Sequence, residues 1–143
     1  MSKPYSRVTP IAGLTRNPSA VQCSIIARRW FEEIWNQERE ETIFELMASD
    51  AVGHLEGHDV QGPAGFRDAY REMKAIFPDL RVLVEDTVTE FNQVVVRWRA
   101  EGPYAANKRA VSFRGMTWMI FDQGKLIEGW DVWNQGAVMD SLV

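Results

Sequence analysis

Hydrophobic residues recur with a helical period in the first half of the chain and with an extended period in the second half. Ser19 is a residue type that commonly caps a helix, and the apolar residues after it, such as Ile26 and Trp30, fit a period of about 3.6 residues. The segment "EETIFELMA" predicts a short second helix. A third helix is predicted in "QGPAGFRDAYREMKAIFPDL", because Pro63 suits a first helical turn and Pro78 ends the pattern.

The other patterns predict β-strands. "AVGHLEGHDV" is short and interrupted by glycine, which favours a strand over a helix. Four runs rich in strand-forming residues follow, with turn signals at 91–93 and 122–124; they are "RVLVEDTVTEF", "QVVVRWRAEG", "VSFRGMTWMIF" and "KLIEGWDVW". The tail "GAVMDSLV" is consistent with a helical turn. Together these elements predict an α+β fold, in which N-terminal helices pack on a curved antiparallel sheet and leave a cone with an interior cavity.

The length of 143 residues and a hydrophobic content of 45% are typical of one domain with one core. Residues 1–18 contain three prolines and no sustained period, so they predict an extended N-terminal arm. Residues 19–143 then form the single predicted domain. One face of its curved sheet is left exposed, and a second subunit would bury it, so we predict a homodimer.

Charge and cysteine content narrow the classes of partner and compartment. A formal net charge of −4 argues against nucleic acid or an anionic membrane as the main partner, since both select a basic surface. The single cysteine, Cys23, cannot form an internal disulfide and lies in an apolar helical pattern, which predicts a buried thiol in a reducing compartment. No apolar run suits a membrane span or a signal peptide, so we predict a cytoplasmic protein.

The run "GWDVWN" near the C-terminus contains the first candidate for catalysis. Asp131 stands between Trp130 and Trp133. A carboxylate against indole rings loses hydration, and this raises its pKa toward the range useful for proton transfer. Strand alternation prevents Asp131 and Asn134 from both facing the interior unless the strand ends or bulges, so the pattern leaves open which of the two does. Inside the cavity, Asn134 would be a hydrogen-bond donor to a developing oxyanion.

Two histidines in "HLEGH" offer a second set of polar groups. His54 and His58 are four residues apart, but the adjacent glycines argue against the helix that would make this a metal-ligand spacing, so no metal site is predicted. We expect His54 to reach the cavity as a donor or proton carrier and His58 to lie in the loop before the third helix, although both also suit an ordinary surface position. Glu128 is a further carboxylate, which we interpret as a structural partner on its strand.

Aromatic residues are numerous, with six tryptophans and seven phenylalanines. They have the capacity to enclose a flat, apolar ligand, although strand and helix spacing also suits a packed core. Arg97 and Arg99 flank Trp98, so they face away from it. The side chains that we predict to bind a substrate are Trp35, Trp98, Trp118, Trp130, Phe66 and Tyr70.

The order of short motifs along residues 19–142 resembles the SnoaL-like polyketide cyclase (ester cyclase) family of the NTF2-like superfamily. The motifs are Asp-Ala-Val-x-His, Val-Gln-Gly-Pro-Ala-Gly-Phe, Ile-Phe-Pro-Asp-Leu, Val-Val-Val-Arg-Trp and Gly-Lys-Leu-Ile-Glu-Gly-Trp-Asp-Val-Trp-Asn. The resemblance implies a cone-shaped α+β barrel, a homodimer with one cavity per subunit, and an intramolecular aldol condensation without metal or organic cofactor. It also implies an acid-base aspartate four residues after the tryptophan of the last motif, where this chain has Asn134.

Three hypotheses about function follow. In the first, Asp131 removes a proton beside a carbonyl of a small hydrophobic substrate, and Asn134 and His54 hold the oxyanion during aldol cyclisation or isomerisation. In the second, the protein is a binding or carrier module for a small hydrophobic or aromatic ligand, as Asn134 in place of the family aspartate suggests. In the third, a carboxylate activates water for a hydrolytic reaction such as epoxide opening.

Overall fold

The computed structural model describes residues 19–142 of the chain. The predicted N-terminal arm lies outside these residues. Within them, none of the helices has the length and apolar character needed to cross a membrane. The described residues form an α+β fold, as the hydrophobic pattern predicts.

Four α-helices lie within residues 19–142. Helix α1 (Ala20–Arg29) begins at Ser19, whose side chain and that of Gln22 accept each other's backbone N–H in a capping box. This helix continues directly into a π-helical segment, Trp30–Asn36. The other helices are α2 (Glu41–Leu46), α3 (Gly62–Ile76) and α4 (Gln135–Asp140). Pro63 lies in the first turn of α3, as expected from its missing N–H.

In the described part of the chain, six strands form one mixed sheet with the order β2-β1-β6-β5-β4-β3. Their bounds are β1 (Met47–Leu55), β2 (His58–Gln61), β3 (Arg81–Glu90), β4 (Gln93–Pro103), β5 (Ala110–Asp122) and β6 (Lys125–Val132). Every pair of neighbouring strands is antiparallel except β1 and β6, which are parallel.

The parallel pair corrects the prediction of a purely antiparallel sheet. Strands β3 to β6 are joined by short connections that dictate antiparallel pairing, whereas β1 and β6 are distant in sequence and no turn sets their direction. The segment "AVGHLEGHDV" belongs to two strands, because a turn at Glu56 and Gly57 separates β1 from β2. Gly57 has a φ of 93°, which a residue without a Cβ adopts readily.

The sheet has an inner face, which is covered by α1, the π-helical segment and α3, and an outer face, which no described element covers. Side chains on the inner face join the helices in a core that includes Ile34, Phe77, Val94 and Val96, all fully buried. Cys23 belongs to this core, as predicted. The outer face instead leaves large apolar side chains exposed, namely those of Met116, Trp118 and Val132.

Candidate active site

A cavity of about 150 Å³ lies between the helices and the inner face of the sheet. Aromatic and aliphatic side chains form most of its wall, and few polar groups reach it. Such an apolar cavity with a small number of polar groups is typical of a small-molecule site. The lining residues are Trp30, Phe31, Trp35, Leu55, His58, Phe66, Ala69, Tyr70, Glu72, Met73, Ile76, Leu80, Val82, Trp98, Ala100, Phe113, Asp131, Trp133 and Gln135.

Asp131 lies on β6 and lines this cavity. Strand alternation sends the side chains of Asp131 and Trp133 inward, and it leaves Val132 between them exposed on the outer face. Asp131 is paired in register with Thr117 of the neighbouring β5. The carboxyl group is therefore held by a regular strand rather than by a loop, so its position is fixed by the sheet.

A chain of hydrogen bonds connects Asp131 to the aromatic wall. The Thr117 hydroxyl donates to Oδ1 of Asp131 over 2.5 Å. The same hydroxyl oxygen accepts a hydrogen bond of 2.9 Å from the indole Nε1–H of Trp98. Thr117 and Trp98 are both buried, so water does not compete strongly for either group. Asp131 thus has a hydrogen-bond partner that the neighbouring strand fixes in place.

The pKa of Asp131 is raised to about 6. Desolvation by burial is the main cause, because it disfavours the charged carboxylate. The hydrogen bond from Thr117 lowers the pKa, and the negative charge of Glu56 raises it. A carboxyl group with this pKa releases and regains a proton near neutral pH, which is what a general acid or base needs.

Glu56 fixes the chain just after Asp131. Its carboxylate accepts hydrogen bonds from the backbone N–H groups of Trp133, Asn134 and Gln135, the last two over 2.8 Å. Desolvation acts to raise the pKa of Glu56, but the three backbone donors outweigh it, and the pKa is lowered. Glu56 therefore stays ionised and supplies the negative charge that acts on Asp131.

Aromatic rings line the cavity on two sides. On the sheet, the ring centroids of Phe113 and Trp133 are 4.7 Å apart, and those of Trp98 and Phe113 are 6.1 Å apart in an edge-to-face arrangement. On the helices, the rings of Trp35 and Tyr70 meet edge to face with 4.9 Å between centroids. These rings give the cavity flat, apolar walls, which suit planar ligands.

Tyr70 adds a hydroxyl group to the helical wall. Desolvation and the nearby charges of Glu38 and Glu40 raise its pKa to about 12. The phenol therefore remains protonated near neutral pH and is available as a hydrogen-bond donor. Phe66, one turn before it on α3, contacts Trp30 with 4.8 Å between ring centroids.

Asn134 lies outside the cavity. The strand ends at Val132, and Asn134 adopts a left-handed conformation with φ 55° and ψ 52° before α4 begins. Its side chain is exposed and is absent from the cavity wall. Because the strand has ended, Asn134 does not follow the alternating pattern that places Asp131 and Trp133 inside. Asn134 therefore does not line the cavity, where an oxyanion donor is needed.

His54 also lies away from the cavity, on the outer face of the sheet. Its ring is stacked on Trp130 with 5.0 Å between centroids, and its nitrogens lie 2.9 Å from Asp59 and 2.7 Å from Glu128. Desolvation lowers the pKa of His54, but the two carboxylates outweigh it and raise the pKa overall. Trp118 lies on the same face, with its ring centroid 5.9 Å from that of Trp130.

The predicted residues therefore divide into those that line the cavity and those that lie outside it. Asp131, Trp35, Trp98, Phe66 and Tyr70 line the cavity, whereas Asn134, His54, Trp118 and Trp130 do not.

Outside the cavity, the remaining charged candidates have partners on the outer face. Arg97 lies 3.6 Å from Glu85, and Arg99 lies 3.9 Å from Glu101. Glu128 pairs with His54, consistent with a structural role. Across residues 19–142, no cluster of three or more His, Cys, Asp or Glu side chains has the geometry to hold a metal ion.

Sequence reasoning missed several residues that shape the site, among them Glu56, Gln135, Thr117 and Gly115. Thr117 and Gly115 share the inner face of β5 with Phe113 and Met119, so a polar residue and a glycine interrupt an otherwise apolar alternation. This interruption of the apolar pattern is the sequence signal that could have identified Thr117 and Gly115. His58, which the pattern placed in a loop, begins β2 and lines the cavity.

Comparisons with known proteins bear on the family and the fold of the chain. The family model described as SnoaL-like polyketide cyclase matches residues 25–142. No curated protein is detectably similar to the chain in sequence. Among solved structures, a candidate SnoaL-like polyketide cyclase from Jannaschia sp. CCS1 has 23% identity and a TM-score of 0.77, and the match covers 86% of this chain and 92% of that one.

Two further structures have the same fold. IdmH, a candidate polyketide cyclase from Streptomyces antibioticus, has 23% identity and a TM-score of 0.76, with 85% of this chain and 98% of that chain covered. TerC, co-crystallised with polyporic acid, has 13% identity and a TM-score of 0.74, with 83% and 96% covered. At these identities the structural likeness shows the fold alone, and the family model carries the assignment. The chain belongs to the SnoaL-like polyketide cyclase family and has the NTF2-like fold.

Proposed function

We propose that the protein is a cofactor-free enzyme that acts on a small, hydrophobic, carbonyl-bearing compound of the polyketide type. Asp131 removes a proton from the carbon beside the carbonyl, and the resulting enolate undergoes aldol cyclisation or isomerisation. The position of Asp131 carries this proposal: a carboxyl group with a pKa of about 6 lines an apolar cavity. An acid-base catalyst works best when its pKa is close to the operating pH.

The other polar groups of the cavity wall suit the enolate oxygen. His58, Tyr70 and Gln135 are hydrogen-bond donors that line the same cavity as Asp131. They replace Asn134 and His54 in the role of oxyanion donors, because those two side chains lie outside the cavity. Donors directed at the developing charge stabilise the transition state more than the substrate.

The cavity wall favours an uncharged ligand, and the family favours a polyketide-like one. The ionisable lining groups are His58, Glu72, Tyr70 and Asp131, and no lysine or arginine lines the cavity among the described residues. An anionic ligand would therefore lack a charge partner in an apolar site, which is costly. The family description names polyketides, and the related TerC structure contains polyporic acid. Both support an aromatic or polyketide-like ligand.

Deuterium incorporation tests the proposed reaction without knowledge of the natural product. Aromatic monoketones and uncharged polyketide mimics, whose spontaneous exchange is slow, are incubated with the protein in D₂O, and exchange at the carbon beside the carbonyl is followed by mass spectrometry. We expect protein-dependent exchange for compounds that also quench tryptophan fluorescence. Quenching without exchange across such a panel would contradict catalysis and favour the binding or carrier function.

We also propose that the outer face of the sheet pairs with a second copy of the chain. Exposed Met116, Trp118 and Val132 form an apolar centre, and arginine–glutamate pairs lie beside it, so the face offers both charge signs to a two-fold partner. Light scattering is expected to give the mass of two chains, and Val132→Arg is expected to shift it toward one. A single-chain mass for the unmodified protein at micromolar concentration would contradict the dimer.

A further inference from the structure

We propose that Thr117, held by Trp98, is a positioning residue that makes Oδ2 of Asp131 the oxygen that exchanges protons with the substrate. The inference rests on the proposed function of Asp131 and adds the identity of the reacting atom and of the residue that selects it. Its basis is the direction of two hydrogen bonds in a buried environment.

The direction of the bonds follows from the chemistry of the groups. An indole N–H donates and cannot accept, so the Trp98 contact must use a lone pair of the Thr117 oxygen. A hydroxyl group has a single proton. With Trp98 already acting as donor on one side, that proton is directed at Oδ1 of Asp131, 2.5 Å away. The chain of donors therefore runs one way, from Trp98 through Thr117 to Asp131.

This direction distinguishes the two oxygens of Asp131. Oδ1 accepts the Thr117 proton in the ionised state, and Oδ2 has no hydrogen bond to any residue within 19–142. A proton placed on Oδ1 would face the Thr117 proton and force the hydroxyl to turn away. The hydroxyl would then lose its acceptor in a buried setting, which is unfavourable. Protonation at Oδ2 keeps both bonds intact.

A single atom, Oδ2 of Asp131, then accepts the proton and later returns it. Oδ2 accepts the proton from the carbon beside the carbonyl, and the electron pair of the broken C–H bond remains on the substrate as an enolate. The enolate carbon forms a bond with a second carbonyl carbon of the same molecule, and the alkoxide so formed takes the proton back from Oδ2. Asp131 returns to its ionised state, still bonded to Thr117, and no external reductant or oxidant is required.

The surroundings explain how Trp98 can hold Thr117. Gly115 precedes Thr117 by two residues on the same face of β5, and its missing side chain leaves room for the Trp98 ring. A Cβ at residue 115 would overlap Cζ2 of that ring and lie only 2.6 Å from its Cη2. The indole can therefore lie across β5 with its N–H directed at the Thr117 oxygen. If Trp98 only filled space in the core, its indole N–H would not need to point at Thr117.

A comparison of Thr117→Val with Thr117→Ser tests the inference. Valine keeps the volume but removes the hydroxyl, whereas serine retains it. For Thr117→Val we expect the low-pH limb of kcat/KM to move to higher pH, because the bond that lowers the pKa of Asp131 is gone. We also expect a roughly tenfold loss at neutral pH, the scale of one hydrogen bond to a charged group. Thr117→Ser is expected to retain the original profile.

A second readout is independent of turnover. The indole ¹H–¹⁵N resonance of Trp98 is expected to shift as Asp131 titrates, and this shift is expected to disappear in Thr117→Val and in Asp131→Asn. Identical titrations in the valine and serine variants would overturn the positioning role. If the Trp98 shift behaves as expected but the Asp131→Asn protein still catalyses exchange, the coupling stands and the proposed catalytic role of Asp131 fails.

Should Thr117→Val not fold, Trp98→Phe removes the indole donor instead, and an unchanged pH profile in that variant contradicts the inference.

Discussion

Replacement of Asp131 by Asn is expected to reduce proton exchange on an enolisable substrate by about 10²- to 10⁴-fold, the range that general acid-base groups contribute. Asparagine has nearly the same shape and lines the cavity in the same way, but it does not accept a proton at neutral pH. Because the loss falls on the transition state, ligand affinity measured by tryptophan quenching should change only a few-fold. Rates of deuterium incorporation measure proton exchange, and fluorescence titration measures ligand affinity.

The pH dependence of the unmodified protein belongs to the same prediction. As a base, Asp131 must be ionised, so kcat/KM is expected to rise with pH and level off above its pKa of about 6. The contribution of Asp131 to folding stability changes with pH in the opposite direction. A carboxyl whose pKa is raised on folding binds more protons in the folded state, so its contribution to stability falls as pH rises from about 4 to about 6. Asp131→Asn should thus unfold no more easily than the parent at pH 7.

Matched variants separate catalysis from general effects of charge. Glu128→Gln removes a carboxylate from the same strand but from its outer face, where it contacts His54 rather than the cavity. Asn134→Asp installs the aspartate that the family resemblance implies, at an exposed position outside the cavity. Both variants should retain exchange rates within a few-fold of the parent. Full activity in Asp131→Asn, or activity gained by Asn134→Asp, would contradict the role of Asp131.

The fold was predictable from the sequence because local signals and the hydrophobic pattern agree. The cap at Ser19, the first-turn Pro63 and the turn before Gln93 all lie where the pattern predicted them. The parallel pairing of β1 with β6 was not predictable in the same way. It joins segments far apart in the chain, and nothing local to either strand sets their relative direction.

The site was only partly predictable, because the sequence pattern does not show where the strands end. Period-two alternation correctly relates Asp131 to Trp133, but which face they share depends on where β6 ends and Asn134 leaves the strand. His54 and His58 would share a face in one continuous strand, yet the turn at Gly57 assigns them to different strands. Thr117 acquires its role from a partner on the next strand, which only the register reveals.

Gly115→Ala is expected to destabilise the protein by about 1–3 kcal/mol, the usual cost of forcing extra volume into a packed region. An added Cβ would overlap Cζ2 of Trp98 and lie 2.6 Å from Cη2 of the same ring and 2.8 Å from Cβ of Trp133, so at least one of these cavity residues must move. Displacement of Trp98 would also break its bond to Thr117. Denaturant unfolding measures the stability, and quenching titrations with the aromatic ligands measure the reduced affinity.

Gly129→Ala is the control for this substitution, because it adds the same methyl group to the adjacent strand β6. There the nearest atoms are the carbonyl oxygen of Trp118 at 3.5 Å and a methyl of Leu126 at 4.0 Å, both ordinary contacts. Alanine in place of an unstrained glycine changes stability by at most about 1 kcal/mol, and the change tends to be favourable. Equal stability and equal ligand affinity in the two variants would mean that the Trp98 ring does not depend on the space above Gly115. A loss confined to Gly115→Ala, with the Trp98 indole resonance displaced, would link that space to the shape of the cavity.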